Sequence, residues 1–136
     1  GSIAQAQIHD QGWREPIKTA LGRFLPEAEV YCHYSRHPDS ITYGLPEIKK
    51  TLQDGIEKAA QSELVVAYVP GASMGTALEI YEAARAGAAV VSISPLCANW
   101  VLRAYSDVIL PDVPSFERFL ASGGLMRLLE AKRRPA

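Results

Sequence analysis

The chain has 136 residues, 48% of them apolar, and a formal net charge of -1. This size and composition predict one domain, residues 1–136, with a single packed core. The interspersed charges argue against nucleic acid and anionic membranes as partners. Two cysteines are too few for a disulfide framework, and no apolar run is long enough to form a membrane helix, so we expect a soluble, cytoplasmic protein.

Strand and helix patterns alternate along the chain. Period-two or continuous apolar runs predict strands at residues 3–8, 29–34, 64–69, 89–93 and 107–110. Apolar residues at helical spacing predict helices at residues 13–25, 46–62, 74–86, 98–104 and 116–132, the last interrupted at Gly123-Gly124. This order predicts an α/β fold: a single-domain, doubly wound, five-stranded and mainly parallel sheet of the flavodoxin or Rossmann-like type, with strand order 2-1-3-4-5.

Two of these elements carry more specific predictions about burial. The third strand has almost no polar residues, which is typical of a strand covered on both faces of a parallel sheet. The second helix is predicted to bury a stripe of apolar residues: Ile48, Leu52, Ile56 and Ala59 or Ala60. Gly87 follows the third helix, in the position where a left-handed residue usually ends a helix.

The candidate site lies where the first and third strands end. Ligands of doubly wound sheets bind at the carboxyl ends of strands, at the point where the winding reverses. In a flavodoxin-like order these two strands are neighbours, and their loops, residues 7–12 and 70–75, face one pocket. This pocket would bring together Gln7, His9, Asp10, Ser73 and Glu79.

The third helix begins with a pattern suited to an anion. Ser73 is a good N-cap, and Gly75 removes a side chain where a ligand would approach the backbone N–H groups of the helix start. A purely structural alternative is that Ser73 only caps the helix. The stretch has no GK[ST] sequence, so a nucleoside triphosphatase loop is not supported.

Two carboxylates are candidates for the chemistry. Glu79 follows Gly75 by one helical turn on the same face, and so it can face the same pocket. Asp54, in the preceding helix, could supply the second carboxylate that glycosidic cleavage requires. The alternative for both is a solvated helix surface.

The strand at residues 63–69, the Ser-x-Gly-x-x-x-Glu motif at residues 73–79 and the following helix with Ala83, Ala84 and Gly87 resemble the nucleoside 2-deoxyribosyltransferase superfamily. The motif spacing is most similar to that of the 2'-deoxynucleoside 5'-phosphate N-hydrolases. The resemblance extends over about residues 54–99. It implies that Glu79 is the nucleophile, that Ser73 and the adjacent helix start bind the 5'-phosphate, and that Asp54 assists catalysis.

The resemblance also bears on substrate and assembly. Members that accept free nucleosides carry an Asp near the end of the central strand, which Tyr68-Val69-Pro70 lacks, so a nucleoside monophosphate is favoured. It implies a homodimer or higher homo-oligomer in which Asn99, or alternatively Ser94, reaches the neighbouring site. Neither a metal nor a cofactor is required.

We therefore expect an N-glycosidase that cleaves the base–sugar bond of a nucleoside 5'-monophosphate through a covalent glycosyl–Glu79 intermediate. Two enzymatic alternatives are base exchange by a deoxyribosyltransferase and cleavage of the nicotinamide bond of NAD. A non-catalytic nucleotide sensor or interaction domain is the alternative from another class. The sequence does not select the base, nor ribose over deoxyribose.

Overall fold

A computed structural model describes residues 14–25 and 44–133 of the protein. Its helices are α1 (Arg14–Phe24), α2 (Leu45–Gln61), α3 (Met74–Arg85), α4 (Trp100–Tyr105), α5 (Val113–Ala121) and α6 (Gly124–Arg133). Its strands are β1 (Leu64–Tyr68), β2 (Ala89–Ile93) and β3 (Val108–Leu110). The first two predicted strands, residues 3–8 and 29–34, lie outside the described residues. The predicted α/β class is confirmed for the described part of the chain.

The three strands form a parallel sheet in the order β1-β2-β3. Val65 of β1 is in register with Val90 of β2, and Val91 of β2 with Val108 of β3. Every residue of β2 is buried, as expected of a central parallel strand. In β1 only Ala67 is fully buried, but its side chains pack on both faces of the sheet as predicted, Val66 against one core cluster and Ala67 within the other. Among the described residues β1 is an edge strand, with fewer neighbouring side chains to cover it.

Helices cover both faces of the sheet, which makes a three-layer α/β arrangement. Alternate residues of β2 point to opposite layers, because side chains along a strand alternate between its two faces. Val91 packs in one core cluster with Ile17 of α1 and Phe116 of α5. Val90 packs in the other with Ile80 of α3 and Leu102 of α4. The helix α2 joins the second layer through Ala59, and α6 joins the first.

The buried stripe of α2 differs from the predicted one. Its buried residues are Thr51, Gly55 and Ala59, so Ala59 is confirmed, whereas Ile48 and Leu52 are 38% and 39% exposed. The three buried residues are spaced four apart, so they share one face of the helix. Small residues there allow α2 and α3 to pack closely, and this contact rotates the larger apolar residues toward solvent.

Local signals fix several helix ends, and two glycines act where the sequence predicts. Gly87 has φ +90° and terminates α3, and Gly123 has φ +81° and divides the C-terminal helical region into α5 and α6. Glycine adopts positive φ without the steric cost that other residues incur. The helix α5 begins earlier than predicted because Asp112 caps it, accepting a hydrogen bond from the Ser115 N–H at 2.9 Å. In the described ranges, no helix combines the length and apolarity that a membrane span requires.

Candidate functional site

The start of α3 lies at the carboxyl edge of the sheet, directly after β1 and a Pro70-Gly71 turn. Ser73 has extended backbone angles and caps the helix, its Oγ accepting a hydrogen bond from the Thr76 N–H at 3.3 Å. The predicted N-cap is thus confirmed. The first N–H groups of a helix point out of its end and carry partial positive charge, so this end of α3 is suited to an anion.

Gly75 and Glu79 lie on the face of α3 that packs against α2. A Cβ placed on Gly75 would meet the Leu52 Cδ2 at 3.9 Å, an ordinary van der Waals distance. A Cβ placed on Gly55 would lie 3.0 Å from the Glu79 Oε1. The two predicted site residues therefore share one face, one turn apart, and the helix opposite them prevents full solvation of that face.

The Glu79 carboxylate is partly buried, without a compensating charge. Within residues 14–25 and 44–133, no hydrogen bond or ion pair to this carboxylate is present. Burial raises the pKa of the Glu79 carboxyl above its ordinary value, because removal of water disfavours the charged form. A surface glutamate would be hydrated, so the solvated-surface alternative does not describe Glu79.

Asp54 lies beside this contact in the chain, because it directly precedes Gly55. Its Oδ2 is 3.6 Å from the Lys50 Nζ, and its side chain is 43% exposed. The structure thus places Asp54 at the solvent-accessible margin of the α2–α3 contact, paired one turn back along its own helix. Its carboxylate is partly exposed to water, whereas that of Glu79 is shielded.

Asn99 caps the neighbouring helix α4, with its Oδ1 accepting a hydrogen bond from the Leu102 N–H at 3.2 Å. It shares the carboxyl edge of the sheet with Ser73, since both precede helices that follow adjacent parallel strands. Ser94 is only 1% exposed; its Oγ donates to the Val69 carbonyl and accepts from the Leu96 N–H. Of the two residues, only Asn99 remains a candidate for contact with another chain.

The predicted residues of the first loop, Gln7, His9 and Asp10, lie outside the described residues. Their proximity to Ser73 stays a prediction. In the part of the chain that is described, no group of three or more His, Cys, Asp or Glu side chains could hold a metal ion.

Sequence reasoning missed Gly55. A signal for it was available: Thr51, Gly55 and Ala59 place small residues four apart, a spacing that puts a close helix contact on one face. The larger apolar residues Ile48 and Leu52 obscured this signal, because hydrophobicity alone favours them as the buried residues of the helix.

A groove with a volume of about 460 Å³ lies at the opposite, amino edge of the sheet. Glu63 and Arg133 line it and pair with each other at 2.6 Å. Lys132, also in its lining, pairs with Asp107 at 2.9 Å. The charged side chains of this groove are paired, whereas the Glu79 carboxylate at the α2–α3 contact is not, so chemistry favours the α2–α3 site.

No protein-family model matches the chain, and neither a curated protein nor a solved structure does. The functional argument therefore depends on the site itself. Its components are an anion-suited helix start, a desolvated carboxylate one turn further along the helix, and a second carboxylate at its margin.

Proposed function

We propose that the protein is an N-glycosidase that hydrolyses the base–sugar bond of a nucleoside 5'-monophosphate. The observation that carries this proposal is Glu79: a partly buried carboxylate with no hydrogen-bond or ion-pair partner in the described ranges, one turn inside a helix whose start suits a phosphate. A desolvated, unpaired carboxylate is costly for the fold, and such groups are concentrated at functional sites.

In the proposed first step, a Glu79 carboxylate oxygen attacks the anomeric carbon. The bond from this carbon to the base nitrogen breaks, and its electron pair leaves with the base. Asp54 or the first loop, with Gln7, His9 and Asp10, supplies a proton or hydrogen bond to the departing base. Water then attacks the glycosyl ester, which releases the sugar phosphate and regenerates the Glu79 carboxylate.

The environment of Glu79 suits this role. Few water molecules have to be displaced before a partly buried carboxylate attacks a sugar carbon. The raised pKa means that ionisation occurs at a higher pH than for an ordinary glutamate. We therefore expect activity to rise with pH as Glu79 loses its proton.

The phosphate would be held at the start of α3. The Ser73 hydroxyl and the backbone N–H groups around Gly75 are the proposed contacts. Binding energy from the phosphate, which does not react, would position the anomeric carbon against Glu79 one turn away.

We also propose the complete order 2-1-3-4-5 for the five predicted strands of the sheet. In this numbering strands 3, 4 and 5 are β1, β2 and β3, and strands 1 and 2 are residues 3–8 and 29–34. In support, β1 has a single strand neighbour, β2, among the described residues, which leaves one edge for residues 3–8. Parallel pairing there would direct Gln7, His9 and Asp10 toward the turn before Ser73. Backbone NOEs between residues 3–8 and 64–68 would test this order.

A second copy of the chain is the proposed partner. The first residues of α3 and α4, Met74 and Trp100, are 89% and 86% exposed at the edge that carries the site. Large apolar side chains so exposed are typical of interfaces. We propose that a homodimer or higher homo-oligomer covers them and brings Asn99 to the neighbouring site. Mixing inactive Glu79→Ala and Asn99→Ala chains should restore part of the activity if sites are shared.

The decisive experiment incubates the protein with a panel of ribo- and deoxyribonucleoside 5'-monophosphates and measures free base. Wild type should release base from at least one of them, and Glu79→Ala should release none. Glu82→Gln is the matched control, because Glu82 is three residues further along α3 and pairs with Arg85 at 3.4 Å. This control should retain activity.

Three outcomes would contradict the proposal. Equal base release by wild type and Glu79→Ala would remove Glu79 from the mechanism. Capture of the sugar by an added base, without net hydrolysis, would indicate a transferase. A melting temperature raised by a nucleotide, with no turnover and no effect of Glu79→Ala, would indicate a sensor.

A further inference from the structure

We propose that Gly55 is a positioning residue for Glu79: the missing side chain at position 55 is the space in which the carboxylate of Glu79 lies. This inference rests on the proposed function only where it concerns catalysis. The contact itself, 3.0 Å between an added Cβ and the Glu79 Oε1, is independent of any reaction.

The backbone of α2 gives no reason for a glycine at this position. Gly55 lies inside a 17-residue helix, away from both ends. Its φ is not positive, since Gly87 and Gly123 are the glycines with positive φ among the described residues. A helix interior favours alanine over glycine, so Gly55 weakens α2 without a conformational benefit.

Contact between the backbones of the two helices does not require a glycine here either. Thr51 and Ala59, one turn before and after Gly55, are buried on the same face and carry side chains. Among the described residues, an added Cβ on Gly55 would meet only atoms of Glu79 within 4 Å, the Oε1 at 3.0 Å and the Cδ at 3.8 Å. No backbone atom of α3 is that close, so the glycine makes room for one carboxylate.

Two other helical glycines provide a comparison, because an added Cβ would have different surroundings at each. A Cβ on Gly124 would overlap the Phe119 ring, so that glycine is required by core packing. A Cβ on Gly22, in α1, would meet no atom of the described residues within 4 Å. Gly55 belongs to neither class, because its neighbour is the free end of a charged side chain.

A methyl group at position 55 would therefore displace the Glu79 carboxylate toward solvent. The charged groups next to the contact on α2 are Asp54, which is paired with Lys50, and Lys58, one turn after Asp54. On α3 the nearest is Glu82, which is paired with Arg85. Among the described residues, none of these, nor any group on β1, β2 or α4, forms an ion pair with Glu79. Rehydration should therefore lower the pKa of Glu79 toward its ordinary value.

The test compares Gly55→Ala with Gly22→Ala, a matched glycine-to-alanine change in open space. In Gly55→Ala, the ¹³C titration of the Glu79 carboxyl should move to lower pH. The kcat for nucleoside monophosphate hydrolysis should fall, but by less than the roughly 100-fold expected for a misplacement of about 1 Å, because a contact at 3.0 Å displaces the carboxylate by a smaller distance, while KM changes little. Gly22→Ala should alter neither quantity.

A double-mutant cycle with Glu79→Ala measures the contact without any assay of activity. Gly55→Ala should stabilise the protein more in the Glu79→Ala background, where no carboxylate is displaced, than in wild type. If Gly55→Ala alone does not fold and the double variant does, the inference is supported. If neither folds, Gly55 is required by packing and the inference is wrong.

The outcomes also separate this inference from the proposed function. An unchanged Glu79 titration in folded Gly55→Ala, with wild-type turnover, overturns the role of Gly55 and leaves the glycosidase intact. Absence of turnover in wild type, with a shifted titration in Gly55→Ala, overturns the glycosidase and leaves the contact intact.

Discussion

Asp107 and Glu79 are carboxylates near opposite edges of the sheet, and their surroundings differ. Asp107 precedes β3 at the amino edge; its Oδ2 accepts the Val90 N–H at 2.8 Å and its Oδ1 pairs with the Lys132 Nζ at 2.9 Å. Glu79, in the half of α3 nearer the carboxyl edge, has no such partner among the described residues. A carboxylate with hydrogen-bond and ion-pair partners stabilises the fold, whereas a shielded carboxylate without partners destabilises it. The presence of such a carboxylate must therefore have a reason other than stability.

The largest effect is expected for Glu79→Gln, which preserves shape and removes the charge. Loss of the nucleophile should lower kcat by about 10³-fold or more. In wild type, kcat should rise with pH through the raised pKa of Glu79, as the nucleophile ionises. Rate profiles of kcat against pH, with Glu82→Gln as the control, measure both effects.

The same substitution tests the stability side of the comparison. The pKa of Glu79 is higher in the folded than in the unfolded state, so its stabilising contribution is complete below the unfolded pKa and is lost as pH rises through the folded pKa. Glu79→Gln should therefore gain stability relative to wild type as the pH is raised from acidic to neutral. Urea unfolding at the two pH values measures this. A constant difference would show that Glu79 is not desolvated.

The next effect separates the two interpretations of Ser73. Ser73→Asp keeps a good N-cap, so stability should hold, but its negative charge opposes a phosphate. We expect KM for a nucleoside monophosphate to rise about 10- to 100-fold, which corresponds to about 1.4–2.7 kcal/mol. Unchanged KM would leave Ser73 as a cap alone. Ser73→Ala provides the contrast, because it should lose about 1 kcal/mol of stability with the cap.

A smaller effect is expected for Asp54→Asn. If Asp54 donates a proton to the departing base, kcat should fall by about 10²-fold, the lower range for general acid catalysis. Stability should change by less than about 1 kcal/mol, because the Lys50 pair is half exposed. Substrates whose base leaves readily should show less of this loss, and a uniform loss across bases would contradict the proton-donor role.

The smallest effect on activity is expected for substitution of Asp107. Asp107→Ala should destabilise the protein by about 1–3 kcal/mol, because it leaves the Val90 N–H and the Lys132 ammonium without their partner. The kcat should stay within about 2-fold, within the scatter of a purely structural change. Glu63→Ala is the control, since the pair of Glu63 with Arg133 is 71% and 60% exposed and should contribute less than about 1 kcal/mol.

The local part of the site was predictable from sequence. Ser73 as N-cap follows from residue type and position, and the common face of Gly75 and Glu79 follows from helical periodicity. Gly87 as a left-handed terminator is equally local. These features depend on neighbours within about four residues along the chain, which a sequence displays directly.

Contacts between elements were less accessible. The sequence favoured Ile48 and Leu52 as the buried residues of α2, but close packing on α3 selected the smaller Thr51, Gly55 and Ala59. Hydrophobicity indicates which side chains are stabilised by burial, but the width of the gap between two helices decides which side chains fit into it. That width depends on both helices together, so the sequence pattern of either helix alone does not predict it.

The sequence by itself determined the α/β alternation from residue 44 onward, the start and end of α3 and the candidate carboxylate Glu79, because all of these follow from local periodicity and capping chemistry. Only the tertiary structure decided that Glu79 is desolvated and unpartnered within the described ranges, and that its carboxylate rests against Gly55. The physical reason is that desolvation is a property of the space between two helices, which forms only when α2 and α3 pack together.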